Sequence, residues 1–142
     1  MTAENVFSIC NMLALAGWLV LIFAGKNAKA RLIPGVILPL SIAVVYAVLL
    51  AAHGGESKGS FGTLAGVTAL FSNQWLLLAG WIHYLAFDLF IGAWQVRDAQ
   101  ANAIPHLLII PCLLLTFLFG PVGLLPYFAI RAARTKKMEI TT

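Results

Sequence analysis

Charge is what this chain has least of. Only 10% of its 142 residues are Asp, Glu, Lys or Arg, against about 25% in a soluble domain. Hydrophobic residues make up 61% and the mean hydropathy is +0.94. Those values exclude a water-soluble fold and make the chain an integral membrane protein of one domain. The net charge of +4 comes from cations gathered at segment ends, where they act as topology signals. Cations interleaved with aromatics, which binding to single-stranded nucleic acid needs, are missing, so nucleic acid is not an expected partner. Residues 1–5 hold Glu4 and no cation, so the basic start of a secretory signal is missing too. No Ser/Arg-rich transit segment precedes the first apolar run. Such a start reads as a bacterial inner-membrane protein, or as an organelle protein already trimmed.

Ligand-type residues are also sparse. Cys10 and Cys112 are the only cysteines. Both lie in apolar runs without CxxC spacing, which suits buried thiols rather than a disulfide or a zinc site. Three histidines are too few for a di-iron membrane hydroxylase, and no Glu lies within a span to build the Glu-x-x-His motif of di-iron bundles. Glycine-rich phosphate loops and Ser/His/Asp hydrolase signatures are absent. No cofactor is expected. Haem, or a single metal, between His83 and His106 is the disfavoured alternative, because their depths differ by half a span and the spacing is no ligand motif.

What the chain does have is long apolar runs. They predict an all-α fold: a polytopic four-helix transmembrane bundle with spans over about 6–24, 32–52, 74–95 and 104–130. A short helix over about 61–71, too short to cross ~30 Å of hydrocarbon, should lie at the interface between spans 2 and 3. Pro34 falls in a first helical turn, where its missing N–H costs little, while Pro39 should bend the second span. His53-Gly54-Gly55 should end that span with a left-handed glycine, leaving His53 solvated. Asn73 is the expected N-cap of span 3, and Trp75 and Trp94 suit the two membrane interfaces. In the last span Pro111 should kink the helix, and Gly120-Pro121-Val122-Gly123 with Pro126 should break or sharply bend it. Arg131, Arg134, Lys136 and Lys137 close the chain in a basic tail expected to fray. If all four spans cross, both termini share a side, and the cations of the two sides nearly balance.

His83-Tyr84-Leu85-Ala86-Phe87-Asp88 lies in the middle of span 3. A carboxylate and an imidazole at that depth are functional candidates by default. Helical spacing puts Trp81, Tyr84, Asp88 and Gln95 on one face. His83 lies ~140° round from Asp88, on a stripe with Gly80, Phe87, Phe90 and Trp94. His106 opens span 4, where antiparallel packing would set it level with Trp94–Arg97, within reach of Gln95 or Arg97. Each has a plainer reading: interhelical hydrogen bonds for Asp88 and His83, a helix cap for His106, packing for the aromatics. Asn11, inside span 1, reads as an interhelical hydrogen-bonder.

Trp81-Ile82-His83-Tyr84-Leu85-Ala86-Phe87-Asp88-Leu89-Phe90-Ile91-Gly92, then Arg97-Asp98, Ile104-Pro105-His106-Leu107 and the run Pro111 to Gly123 resemble the abscisic-acid-deficient-four-like family. The resemblance is dense from about Trp75 to Arg131. The family's plant members are plastid membrane proteins required for making neoxanthin from violaxanthin. It implies a neoxanthin-synthase-type isomerase that opens a carotenoid ring epoxide to an allenic alcohol, or a related carotenoid or isoprenoid conversion. Such a step needs an acid for the epoxide oxygen and a base for the C7 proton. The resemblance places His83, Asp88 and His106 as the catalytic candidates, with Asp88 the base or the group that orients a histidine. Trp81, Tyr84, Phe87, Trp94 and Gln95 would line a slot for the polyene. It also admits a plastid membrane as location, and a membrane-protein partner or a homo-oligomer. The alternative is a non-catalytic subunit that holds a carotenoid, quinone or haem within a larger complex.

Overall fold

The computed structural model describes residues 1–135; Lys136 and Lys137 of the expected basic tail lie outside the described residues. The described residues are helical, with four segments long and apolar enough to cross a membrane: Ala3–Ala24, Ala28–His53, Gln74–Ala101 and His106–Thr135. The first is α1 (Ala3–Ala24), whose N-cap Thr2 accepts a hydrogen bond from Asn5 N–H. The second starts earlier than expected. Asn27 caps α2 (Ala28–Leu32), which runs through a π-helical turn at Ile33–Ile37 into α3 (Leu38–His53). Pro34 therefore lies well inside the segment. The wider turn, in which Leu38 N–H donates to Ile33 C=O, absorbs the missing donors of Pro34 and Pro39. Gly54 ends α3 in a right-handed conformation, not the left-handed one expected.

The short helix is α4 (Leu64–Phe71), and Thr63 caps it through Gly66 N–H. Asn73 then caps α5 (Gln74–Ala101) by accepting from the N–H groups of Trp75 and Leu76. This helix outlasts the expected span 74–95 because Val96, Asp98 and Ala99 are buried against neighbours. It is the axis of the molecule. Helix α1 runs parallel to it, with Phe7 on Trp81 at one end and Gln100 bonded to Lys26 C=O at the other. Helix α3 runs antiparallel, with Tyr46 beside His83 and His53 stacked on Trp75.

The last segment does more than kink. Helix α6 (His106–Phe119) descends beside α5 until the Tyr84 hydroxyl meets Phe117 C=O at 3.2 Å. A 3-10 turn at Gly120–Gly123 follows, and then α7 (Leu124–Thr135). In one straight helix Gly123 would stand ~16 Å from Cys112. Here a Cβ on Gly123 would lie 2.5 Å from Cys112 O and 2.4 Å from Thr116 N. The chain has doubled back, which Gly120 permits with φ +57°, a region closed to most side chains. Next, Gln95 reaches Gly123 C=O, and Tyr127 and Arg131 both reach Asp98. Contacts on α5 thus move from Tyr84 back to Asp98, toward the end from which α6 set out. The fourth segment is a helical hairpin whose tip lies halfway along α5.

Candidate functional site at the hairpin tip

Backbone that turns inside an apolar layer must find partners within the protein. Ending a helix at Phe119 leaves the last carbonyls of α6 without intrahelical donors, and α5 supplies the partners. Tyr84 donates to Phe117 C=O, Gln95 donates to Gly123 C=O at 3.3 Å, and Thr116 donates to Gln95 Oε1 at 3.2 Å. Gln95 is fully buried, so it holds the hairpin rather than lining an open slot.

Asp88 sits at the tip. A Cβ on Gly120 would be 3.2 Å from Asp88 Oδ2 and 3.3 Å from the Tyr84 ring, so carboxylate, phenol and turn meet in one place. Asp88 Oδ2 is buried and has no hydrogen-bond partner among the described residues. From there an aromatic row leads along α5 toward its N-terminal end: Tyr84 lies 5.3 Å from Trp81, which lies 5.8 Å from Phe7 of α1. Trp81 Nε1 donates to Asn11 Oδ1 at 3.2 Å, the interhelical role expected of Asn11. The row ends at a cavity of about 270 Å³ between α1 and α5, lined by Ala3, Glu4, Phe7, Gln74, Leu77 and Trp81. Phe7, Leu77 and Trp81 are exposed there, because the hairpin stops short of them.

The remaining candidates lie elsewhere. His83 faces α3, with Tyr46 at 5.5 Å and Phe87 at 4.6 Å. It borders a second cavity of about 340 Å³ with Tyr46, Phe61, Phe71 and Gly80. His106 is on neither surface. Its Nε2 bonds Ile22 C=O of α1 at 2.9 Å, and its Nδ1 is buried without a partner among the described residues. Helix α6 leans on α1 as well as α5, so His106 meets α1 instead of Gln95 or Arg97. Trp94 packs against Tyr127 and Phe128 of α7. The fold therefore joins Tyr84 and Asp88 and extends the pair with Trp81. It brings together neither the histidines nor either of them with Asp88.

One polar centre was not singled out from the sequence, where Asp98 lies past the expected end of span 3 and Arg131 in the expected basic tail. Asp98 Oδ2 accepts from Arg131 Nε at 2.7 Å and from the Tyr127 hydroxyl, and all three residues are buried. The available signal was Tyr127 and Arg131 four apart on a helix, facing an acid just past an apolar run. His53, expected to be solvated, stacks on Trp75 at 4.7 Å and pairs with Glu56 at 2.8 Å. Hydrogen bonds from His53 and then Asn73 hold the Glu56 carboxyl below its ordinary range.

Protein ABA DEFICIENT 4, chloroplastic, of Arabidopsis thaliana is 32% identical over 77 residues, which cover 54% of this chain and 34% of the relative. The matched stretch thus spans about a third of that relative's length. No solved structure matches the chain. The model of the family described as ABA DEFICIENT 4-like matches residues 5–127, most of both the bundle and the hairpin, and the chain belongs to that family.

Proposed function

We propose that the chain binds an oxygenated carotenoid or related isoprenoid and isomerises it at the hairpin tip. Family membership supports the substrate class. The single observation that carries the chemistry is Asp88 Oδ2, buried halfway along α5 beside Tyr84 and, among the described residues, without a hydrogen-bond partner. A carboxylate at that depth is costly unless a neighbouring side chain, water or a ligand partners it, which makes it a functional candidate by default. In the proposed reaction Asp88 takes the proton from C7 of a 5,6-epoxide. The C–H electron pair forms the C6=C7 bond of the allene as the C6–O bond breaks. The oxygen, left on C5, takes a proton and becomes a hydroxyl, so the reaction is an isomerisation without redox change. Tyr84 is the better-placed proton donor, because His83 and His106 face other surroundings. The row Trp81–Phe7 and the cavity beyond it supply an apolar wall for a polyene, with few polar groups to fix its orientation.

The test is conversion in a host that makes epoxy-carotenoids, followed by chromatography. Asp88→Asn should reduce product at least ~100-fold, the scale of a lost general base, and Tyr84→Phe should also reduce it. His83→Ala should leave most activity intact. Loss with His83→Ala but not with Asp88→Asn would move the chemistry to the other cavity. Pigment that copurifies with the protein but is never changed, in wild type or variants, would favour a binding subunit over an enzyme.

A further inference from the structure

We infer that the chain crosses the membrane three times, that its fourth apolar segment is a re-entrant hairpin, and that the tip site opens only into the leaflet opposite the basic end. The first part follows from length and contact. Helix α6 has 14 residues, ~21 Å at 1.5 Å per residue, against ~30 Å of hydrocarbon. Its end is held at Tyr84, in the first half of a helix running from Gln74 to Ala101. Helix α7 then carries Tyr127 and Arg131 back to Asp98, one turn from the end of α5. Non-helical backbone at such depth is tolerated where protein buries it, and Gly120 and Gly123 are buried.

Three crossings redistribute the charges. The end of the bundle where α1 stops, α2 starts and α5 stops carries Lys26, Lys29, Arg31 and Arg97, and α7 brings Arg131 and Arg134 to that same end. At the other end, among the described residues, Lys58 stands with Glu4 and Glu56. The near balance expected for four crossings becomes a strong asymmetry. Short basic loops stay on the side from which a membrane protein is inserted. The basic end therefore faces the cytoplasm (or the stroma), and the N-terminus faces away.

Access to the tip then has a side. In the leaflet at the basic end, α6 and α7 cover the face of α5 around Gln95 and Asp98, which are buried. In the opposite leaflet nothing among the described residues lies over Phe7, Leu77 and Trp81, which are exposed and border the α1–α5 cavity. A carotenoid reaching Asp88 enters through that leaflet, a consequence that rests on the function proposed above; the crossing number does not.

The test is cysteine labelling of the full chain in intact cells stripped to the membrane, with an impermeant maleimide and with Cys10 and Cys112 replaced by Ala. Thr2→Cys and Gly55→Cys report the far end, where a side chain at Gly55 meets open space. Ala28→Cys and Ala133→Cys, both exposed, report the basic end. Thr2→Cys and Gly55→Cys should label at least tenfold more than the other two until the membrane is permeabilised. Ala133→Cys labelling together with Thr2→Cys would restore four crossings and overturn the hairpin. The mirror pattern would keep three crossings but overturn the orientation and the leaflet. The readout is independent of pigment, so a failed conversion assay and a failed topology are separate results.

Discussion

Replacing Arg131 by Met should be among the most damaging single changes in this protein. Arg131 is 0% exposed and its partner Asp98 6%, so the pair is sealed from water. The guanidinium Nε stands 2.7 Å from Asp98 Oδ2, which also accepts the Tyr127 hydroxyl. Removing the guanidinium leaves Asp98 as a buried charge without its counter-ion, which costs about 3–5 kcal/mol. Methionine roughly refills the volume, so little of that loss is cavity. Asp98→Asn should also destabilise, because the guanidinium then loses the carboxylate it faces. Combining the two removes both charges, and the amide oxygen still accepts from Tyr127. The double variant should therefore lie within about 1–2 kcal/mol of wild type, since neutral replacement of a buried pair is often nearly neutral. Unfolding of the purified protein in detergent, followed by circular dichroism, gives all corners of the cycle. Losses below about 1 kcal/mol for both single variants, or a double variant as unstable as the sum, would refute the claim that this pair clamps α7 onto α5. The coupling should also persist at high salt, because screening acts on exposed pairs far more than on buried ones.

Gly120→Ala should destabilise by about 1–2 kcal/mol, the cost of a left-handed conformation for a residue with a Cβ, and should suppress conversion further by crowding Asp88, 3.2 Å away; thermal unfolding and pigment chromatography read the two effects separately. The Glu56 carboxyl, held low by His53 and Asn73, stabilises the loop between α3 and α5 above the ordinary carboxyl pKa of about 4.3. That contribution is lost as pH falls through the lowered value, so the protection of residues 53–73 from hydrogen exchange, taken relative to the intrinsic rate at each pH, should fall once pH drops below the ordinary carboxyl range in wild type and not in Glu56→Gln.

Much of the local structure was legible because its causes are local. Asn73 caps α5 as expected, since an Asx side chain before an apolar run satisfies the first free N–H groups of that helix. The existence of a short helix before α5 and the breaker at Gly120-Pro121-Val122-Gly123 were legible for the same kind of reason. Asp88 stood out because an ionisable group halfway along an apolar helix is costly wherever it faces, and Tyr84 because it lies four residues away on the same face. Where local rules failed, a neighbour had intervened. Pro34 sits inside a helix because a π turn tolerates it, and His53 is stacked because Trp75 comes to lie beside it.

Sequence by itself determined that this is a helical membrane protein, where its apolar segments lie, and that Asp88 stands midway along one of them, because hydropathy, capping and helical period are properties of neighbouring residues. Only the tertiary structure decided the direction taken after Gly120. A glycine and a proline stop a helix, but contacts with Gln95, Asp98 and Tyr84 on another helix choose whether the chain goes on or turns back. That choice sets the number of crossings, separates Asp88 from both His83 and His106, and pairs Asp98 with an arginine 33 positions away. Pairings of that range are carried by packing between helices, on which local sequence pattern is silent.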